Sequence, residues 1–204
     1  MEAQRRDENP FESLIDVVIR PAAGVGSTGE RQLEAILQSA LRQLIPVKNF
    51  PRCLIQVTLQ VTEMPKNDYV NSKIVQSQSN LTLLPALLHS AILGLLSAAV
   101  PMKAIATSTT LAVRNGNIVV DPLPSEADQA TSLHVLSFTS QDDLLLAESQ
   151  GVFTMGEWDD VVSTGQRVCG QHRQADVDTT MNEGDQNSTD MRHFIRTVMD
   201  SRVA

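Results

Sequence analysis

The sequence predicts a layered α+β domain, and three observations lead to this prediction. A capping-box pattern at 27–30 precedes a run whose apolar residues repeat at helical spacing over 33–44. Apolar and polar residues alternate over 53–61, as in a strand with one buried face. A hairpin signal, Asn-Gly-Asn at 115–117, lies within a series of short strands in the second half. Helices and strands in this order are typical of an α+β domain.

The other elements are assigned from apolar runs and from the turn residues between them. Pro46 ends the first helix, and the polar stretch 63–79 is predicted to be a loop. A second capping-box pattern at 154–157 opens a later helix. The predicted strands cover 14–19, 53–61, 103–113, 118–120, 133–138 and 144–147, and the predicted helices run from 27 to Pro46 and over about 82–99, 154–169 and 190–203.

The chain is predicted to form one main domain over 1–174, because 204 residues suffice for one good core. Residues 175–189 carry Asp and Glu but no Lys or Arg, which predicts a mobile acidic loop or insertion. Residues 190–204 are predicted to form a C-terminal helix that packs on the same domain.

The predicted helix over 82–99 contains no charged residue. Because it is apolar on every side, we expect protein to cover both sides, with Pro85 in the first turn. Residues 83–100 are long enough to span a membrane, but this run contains Pro85, His89, Ser90 and Ser97 and lacks flanking aromatic and basic residues. A buried central helix is therefore predicted, and no membrane association.

The composition argues against a free-standing nucleic-acid binder. The net charge is -8, and aromatic residues make up only 3% of the chain, so neither a basic surface nor a row of stacking rings is expected. The two cysteines, Cys53 and Cys169, are far apart and show no metal-ligand spacing. They predict buried free thiols in a reducing compartment, and no metal site.

Several segments, taken in order, carry a family resemblance. The first reads Ile-Asp-Val-Val-Ile-Arg-Pro-Ala-Ala-Gly-Val at 15–25, and Glu-Arg-Gln-Leu-Glu follows at 30–34. A third, Ala-Ile-Leu-Gly-Leu-Leu-Ser-Ala-Ala-Val-Pro-Met, lies at 91–102, and Ile-Val-Val-Asp-Pro at 118–122 precedes Glu126. With 2–10 they resemble the RNase PH family and, within it, the catalytically degenerate, Rrp-forty-six-like ring subunits of the eukaryotic RNA exosome. The resemblance covers roughly residues 2–172.

This resemblance implies an RNase PH-like fold, also called ribosomal protein S5 domain 2-like, with layers of sheet and helix. Members of the family open with further strands before the segment that corresponds to 2–10, and these N-terminal strands are apparently missing here. A sheet without them is expected to expose an edge and an apolar face, which predicts a poorly behaved isolated monomer.

The residues at the family's catalytic positions predict that this chain has no chemistry of its own. Active members hold phosphate with a Gly-Thr-Arg-type triplet, which falls here on Thr82, Leu83 and Leu84. Thr82 is expected to be a helix cap. The catalytic Asp should precede the strand over 133–138, where the nearest carboxylate, Asp128, is interpreted as a turn cap. No catalytic residue and no cofactor is predicted.

Contact with RNA is predicted at arginines, because active relatives guide single-stranded RNA with paired Arg residues near the first helix. Arg31 lies close to that place, and Arg5 and Arg6 form a second candidate pair. Each of these arginines could instead be a solvated surface residue or a partner in an ion pair between subunits. His134 is interpreted as a structural residue, and Trp158 as an interface or core anchor.

The resulting hypothesis is a non-catalytic structural subunit of the exosome core ring, supporting 3'-to-5' RNA processing and degradation. The implied partners are other RNase PH-like ring subunits, S1/KH-type cap subunits, a hydrolytic exosome nuclease and RNA in the central channel. The implied localisation is the nucleus, including the nucleolus, and the cytoplasm. Two alternatives remain: a phosphorolytic 3'-to-5' exoribonuclease acting as a dimer, and a free-standing α+β binding domain outside the family.

Overall fold

The fold is given by a computed structural model, which describes residues 9–22, 26, 28–63, 73–114, 116–170 and 191–203. The strands are β1 (Leu14–Arg20), β2 (Leu54–Gln60), β3 (Ala106–Arg114), β4 (Asn117–Val120), β5 (Ser132–Thr139) and β6 (Leu144–Gly151). The helices are α1 (Thr28–Leu44), α2 (Lys73–Ser97), α3 (Pro124–Asp128), α4 (Met155–Gly170) and α5 (Met191–Val203). The α+β class predicted from the sequence is confirmed.

The first sheet is a parallel pair of β1 and β2, in register from Leu14 opposite Leu54 to Arg20 opposite Gln60. Helix α1 is the crossover between them, and its apolar face is buried at Leu33, Leu37, Ala40, Leu41 and Leu44. The buried face of β1 carries Ile15, Val17 and Ile19.

Polar side chains of α1 cap the outer edge of β1, the edge that faces away from β2. Glu34 Oε1 accepts the Ile19 amide N–H at 2.8 Å, and Gln38 Nε2 donates to the Ile15 carbonyl at 2.5 Å. This edge of β1 is therefore capped at two points.

The second sheet is antiparallel, with strand order β4-β3-β5-β6. Helix α2 packs on one face of β3 and β5, and α4 packs on the other, so every residue of β5 is buried. On the α2 side, Leu84, Leu88 and Ile92 are fully buried in the main core. Only part of the expected coverage of α2 is found, because its exposed residues include a stripe of small ones: Ala86, Ser90, Gly94 and Ser97.

Helix α4 lies close to the sheet because it carries a glycine where it crosses β3 and β5. A Cβ added to Gly165 would lie 2.7 Å from Leu136 Cδ1 and 3.3 Å from Leu111 Cδ1. Val161 and Cys169, one turn away on either side, are buried in the same cluster. The absence of a side chain at Gly165 thus allows this close contact.

The prediction for the start of α2 was wrong. The helix begins at Lys73, within the stretch predicted to be a loop, so Pro85 lies in its interior and not in the first turn. Residues 73–84 contain no Gly or Pro, so the helix can extend back from the core at small cost. Pro85 cannot donate to the Leu81 carbonyl, and packing against the core has to compensate for that lost hydrogen bond.

Other local predictions have mixed outcomes. The capping box before α4 is confirmed: Thr154 N–H donates to Glu157 Oε2 at 2.7 Å, and Glu157 N–H donates to Thr154 Oγ1 at 3.3 Å. The Thr154 hydroxyl also donates to Glu157 Oε2, at 2.9 Å, and the two hydrogen bonds that Thr154 donates to this carboxylate lower the pKa of Glu157, the backbone one most. Ser27 and the segment 175–189 lie outside the described residues. No helix in the described part of the chain is both long and apolar enough to cross a bilayer.

Candidate functional site

The first candidate position is Leu84, where the sequence comparison placed the phosphate-binding Arg of active relatives. Its side chain is 0% exposed and packs in the main core between the sheets and α1. Thr82 lies two residues earlier and is part of the helix interior, so its predicted role as a helix cap is wrong. A phosphate at this point would meet hydrocarbon, and the site has no guanidinium to bind it.

The second candidate position is the start of β5, where a catalytic carboxylate was expected in active relatives. The strand begins with Ser132, which is 2% exposed and whose Oγ bonds His134 Nε2 at 2.9 Å. The nearest acid, Asp128, is the last residue of the short helix α3 and is exposed. This helix was not predicted, because its five residues contain too little periodicity to identify. It carries its own capping contact, in which Leu123 N–H donates to Glu126 Oε2 at 2.9 Å.

His134 has the structural role that the sequence suggested. Its side chain is 0% exposed, and its Nδ1 bonds Ser149 Oγ at 2.8 Å. Its ring centroid lies 4.8 Å from that of Phe153, edge to face, and 5.6 Å from that of Trp158. Burial lowers the pKa of His134, and the nearby Glu157 carboxylate opposes this effect. Trp158 is thus an anchor between β5 and the segment that follows β6.

A second buried histidine, His89 on α2, was not singled out from the sequence. Its Nε2 accepts the Ser108 amide N–H of β3 at 2.9 Å. Burial lowers the pKa of His89 to about 4, against the opposing charge of Asp121. Asp121 Oδ1 accepts the Thr110 amide N–H at 3.3 Å. The side chains of His89 and Asp121 thus accept backbone N–H groups in the part of β3 that extends beyond its pairing with β4. The only sequence signal for this role of His89 was its position inside a predicted helix without charged residues.

Arg31, the predicted RNA contact, is an exposed residue near the N-terminus of α1. It follows Gly29 and Glu30, both of which make interactions of their own. Arg5 and Arg6, the other two candidates, lie outside the described residues. Among the described residues, no three His, Cys, Asp or Glu side chains form a group that could hold a metal ion.

Comparison with curated proteins finds several relatives named RRP46. Exosome complex component RRP46 of Saccharomyces cerevisiae is 26% identical over 177 residues, covering 83% of this chain and 76% of the relative. Exosome complex component rrp46 of Schizosaccharomyces pombe is 29% identical over 100 residues, covering 49% of this chain and 38% of the relative. Exosome complex exonuclease RRP46 homolog of Arabidopsis thaliana is 24% identical over 149 residues, covering 72% of this chain and 56% of the relative. No protein-family model matches the chain.

Solved structures agree on the fold. The crystal structure of rice (Oryza sativa) Rrp46 gives a TM-score of 0.74 at 21% identity and covers 98% of this chain and 79% of that one. The exosome of Archaeoglobus fulgidus with RNA bound to the active site gives a TM-score of 0.59 at 13% identity. This match covers 81% of this chain and 71% of that one. In sequence the chain is similar to RRP46 proteins, and its fold is RNase PH-like. The resemblance drawn from its residues is thereby confirmed, whereas the apparent absence of N-terminal strands stays an expectation.

The likeness to RNase PH-like proteins explains why the two candidate positions matter. Both lie on elements that the structure defines, the interior of α2 and the start of β5. At the first the chain has a buried leucine, and at the second it has a serine held by a buried histidine. This arrangement provides neither a cation for phosphate nor a carboxylate for proton transfer at these two points.

Proposed function

We propose that this RRP46-like chain is a non-catalytic structural subunit of an RNA exosome core ring. Its role would be to assemble with other RNase PH-like subunits and to line a channel for RNA that undergoes 3'-to-5' processing or degradation. Two curated relatives from fungi are named exosome complex components, which supports the proposal that this chain is part of such a complex. The observation that carries the non-catalytic part is the complete burial of Leu84 in the core.

Phosphorolysis needs a bound phosphate next to the scissile bond, held by charge-assisted hydrogen bonds. Leu84 offers none, and placing a cation there would bury a charge among Leu88, Ile92 and their neighbours, which costs several kcal/mol. We therefore expect the loss of activity to be intrinsic to this core.

Contact with RNA is proposed for Arg31, with Arg5 and Arg6 as further candidates. Arg31 is exposed on α1, where a guanidinium can bind a phosphate of a threaded strand. With a net charge of -8, the chain would contribute a local contact to a channel built together with other subunits. S1/KH-type cap subunits, a hydrolytic nuclease, and placement in nucleus, nucleolus and cytoplasm belong to the same proposal.

A phosphorolytic exoribonuclease is the second candidate function. The observation that favours it is that the relative from Arabidopsis thaliana is named an exonuclease. This alternative requires a phosphate-binding Arg from a partner chain, because Leu84 cannot supply one.

Two measurements on the full chain decide between these functions. The chain is tagged at its C-terminus in its native cells, purified in mild salt, and its partners are identified by mass spectrometry. We expect other RNase PH-like chains and S1/KH-type proteins in near-equal amounts. The purified chain is then incubated with labelled RNA and inorganic phosphate, and no nucleoside diphosphate is expected. Recovery as a self-dimer that releases diphosphates would establish the enzyme instead.

A further inference from the structure

Strand β6 forms one edge of the second sheet, next to β5. No other strand in the described parts of the chain pairs with its outer edge. The strand is eight residues long, and Leu144 at its start is 47% exposed. A long edge of this kind is a template for pairing with another strand.

The register determines which backbone groups of β6 are free to pair. Val152 N–H donates to the Thr131 carbonyl at 3.3 Å, just beyond the last residue pair of the ladder. Because bonded and non-bonded pairs alternate in an antiparallel ladder, Glu148 exchanges hydrogen bonds with β5. Its neighbours Ala147 and Ser149 therefore direct their backbone N–H and C=O groups outward. Both residues are exposed.

An apolar cluster adjoins the C-terminal end of this edge. Val152 is 79% exposed, Met155 is 74% exposed and Phe153 is 38% exposed. The Phe153 ring packs against the rings of His134 and Trp158, and these contacts hold it in place. Exposed apolar side chains next to a free strand edge are typical of a protein–protein interface.

The charges around the cluster indicate what kind of partner it fits. The segment 142–160 contains six carboxylates, at Asp142, Asp143, Glu148, Glu157, Asp159 and Asp160, and no Lys or Arg. RNA would be repelled by this surface. A second copy of the chain, paired symmetrically, would place acidic residues against acidic residues. A partner with basic residues around an apolar strand has the complementary charge.

We infer that the outer edge of β6, together with Val152, Phe153 and Met155, binds an edge strand of another RNase PH-like ring chain, one that carries Lys or Arg beside apolar residues. The partner strand extends the second sheet by pairing with the amides of Ala147 and Ser149, and its apolar side chains cover the cluster. This inference rests on the proposed ring function and names the surface that would serve it.

The test measures binding of the full chain to each of the other RNase PH-like ring chains of the same organism, purified and immobilised one at a time. The variant Ala147→Pro removes an outward N–H, which an edge strand tolerates when that N–H faces solvent. We expect it to weaken binding to one of the chains by about tenfold or more. The double variant Val152→Ser and Met155→Ser is expected to weaken binding to the same chain by about tenfold.

Two matched controls accompany these variants. Ala147→Val keeps the amide, and Leu123→Ser removes a side chain that is 64% exposed just after β4, the opposite edge strand. Both should bind that chain like the parent. Reversing the charges of Asp159 and Asp160 to Lys should slow association by about threefold or more at low salt. A faster association would mean an acidic partner and would overturn the inference.

The outcomes separate this inference from the proposed function. A parent chain that binds none of the ring chains overturns both. A parent chain that binds, with all variants binding equally, overturns the interface and leaves the ring function standing. Two further results would overturn the inferred interface. One is self-association of the parent chain that Ala147→Pro abolishes. The other is binding of a labelled single-stranded RNA that is lost only in the double variant of Val152 and Met155.

Discussion

At the residue scale, His89 makes stability depend on pH. Its pKa in the folded chain is about 4, below the ordinary value of 6.5, because burial of the ring outweighs the opposing charge of Asp121. The unfolded chain therefore binds this proton more readily. The contribution of neutral His89 is fully present above pH 6.5 and is lost as the pH falls toward 4, up to about 3 kcal/mol in free energy of unfolding.

We expect His89→Gln to flatten this pH dependence. Glutamine can accept the Ser108 N–H but does not titrate, so the variant should lose about 1 kcal/mol near pH 7 and little more on acidification. Urea unfolding at several pH values between 7 and 4.5 measures both quantities. If the variant lost stability over this range as steeply as the parent, another group would be responsible.

At the element scale, the distance between α4 and the second sheet depends on Gly165. Gly165→Ala would press a methyl group against Leu136 and Leu111, both fully buried. We expect a net loss of about 1–2 kcal/mol, even though alanine is the better helix former. Thermal and urea unfolding measure the change.

Gly94→Ala in α2 is the control for this prediction. Nothing lies within 4 Å of a Cβ added at Gly94, so only helix propensity acts there. It should raise stability by up to about 1 kcal/mol. Equal effects of the two substitutions would mean that the packing of α4 does not depend on the glycine.

The same elements show which features of the fold the sequence could predict. Strand β2 and helix α1 were found because each buries one face, which leaves a regular period in the sequence. The start of α2 was missed because its first turns are polar and carry no period that separates them from a loop. Leu84 could be placed in the helix, but its complete burial needed the three-dimensional packing. The roles of His89 and Asp121 depend on where β4 ends relative to β3, which no local pattern encodes.

At the scale of the whole molecule, the proposed contact of Arg31 with RNA can be tested in a ring that contains this chain. Arg31→Glu should lower crosslinking of RNA to this subunit in an assembled ring by about threefold or more, because a phosphate contact becomes a repulsion. Arg167→Glu is the matched control, since Arg167 is exposed on α4, a helix that packs on the second sheet. Unchanged crosslinking by Arg31→Glu would remove this arginine from the channel.

The parallel pairing of β1 with β2 has a consequence for the order of folding. Paired residues of the two strands, such as Asp16 and Gln56, are forty positions apart in the sequence. They can meet only after the chain between them has folded back. The hairpins of β3 with β4 and of β5 with β6 close over short turns and should form first, because short loops lose less entropy. We expect amide protons of β5 to be protected from exchange with solvent earlier in refolding than those of β1.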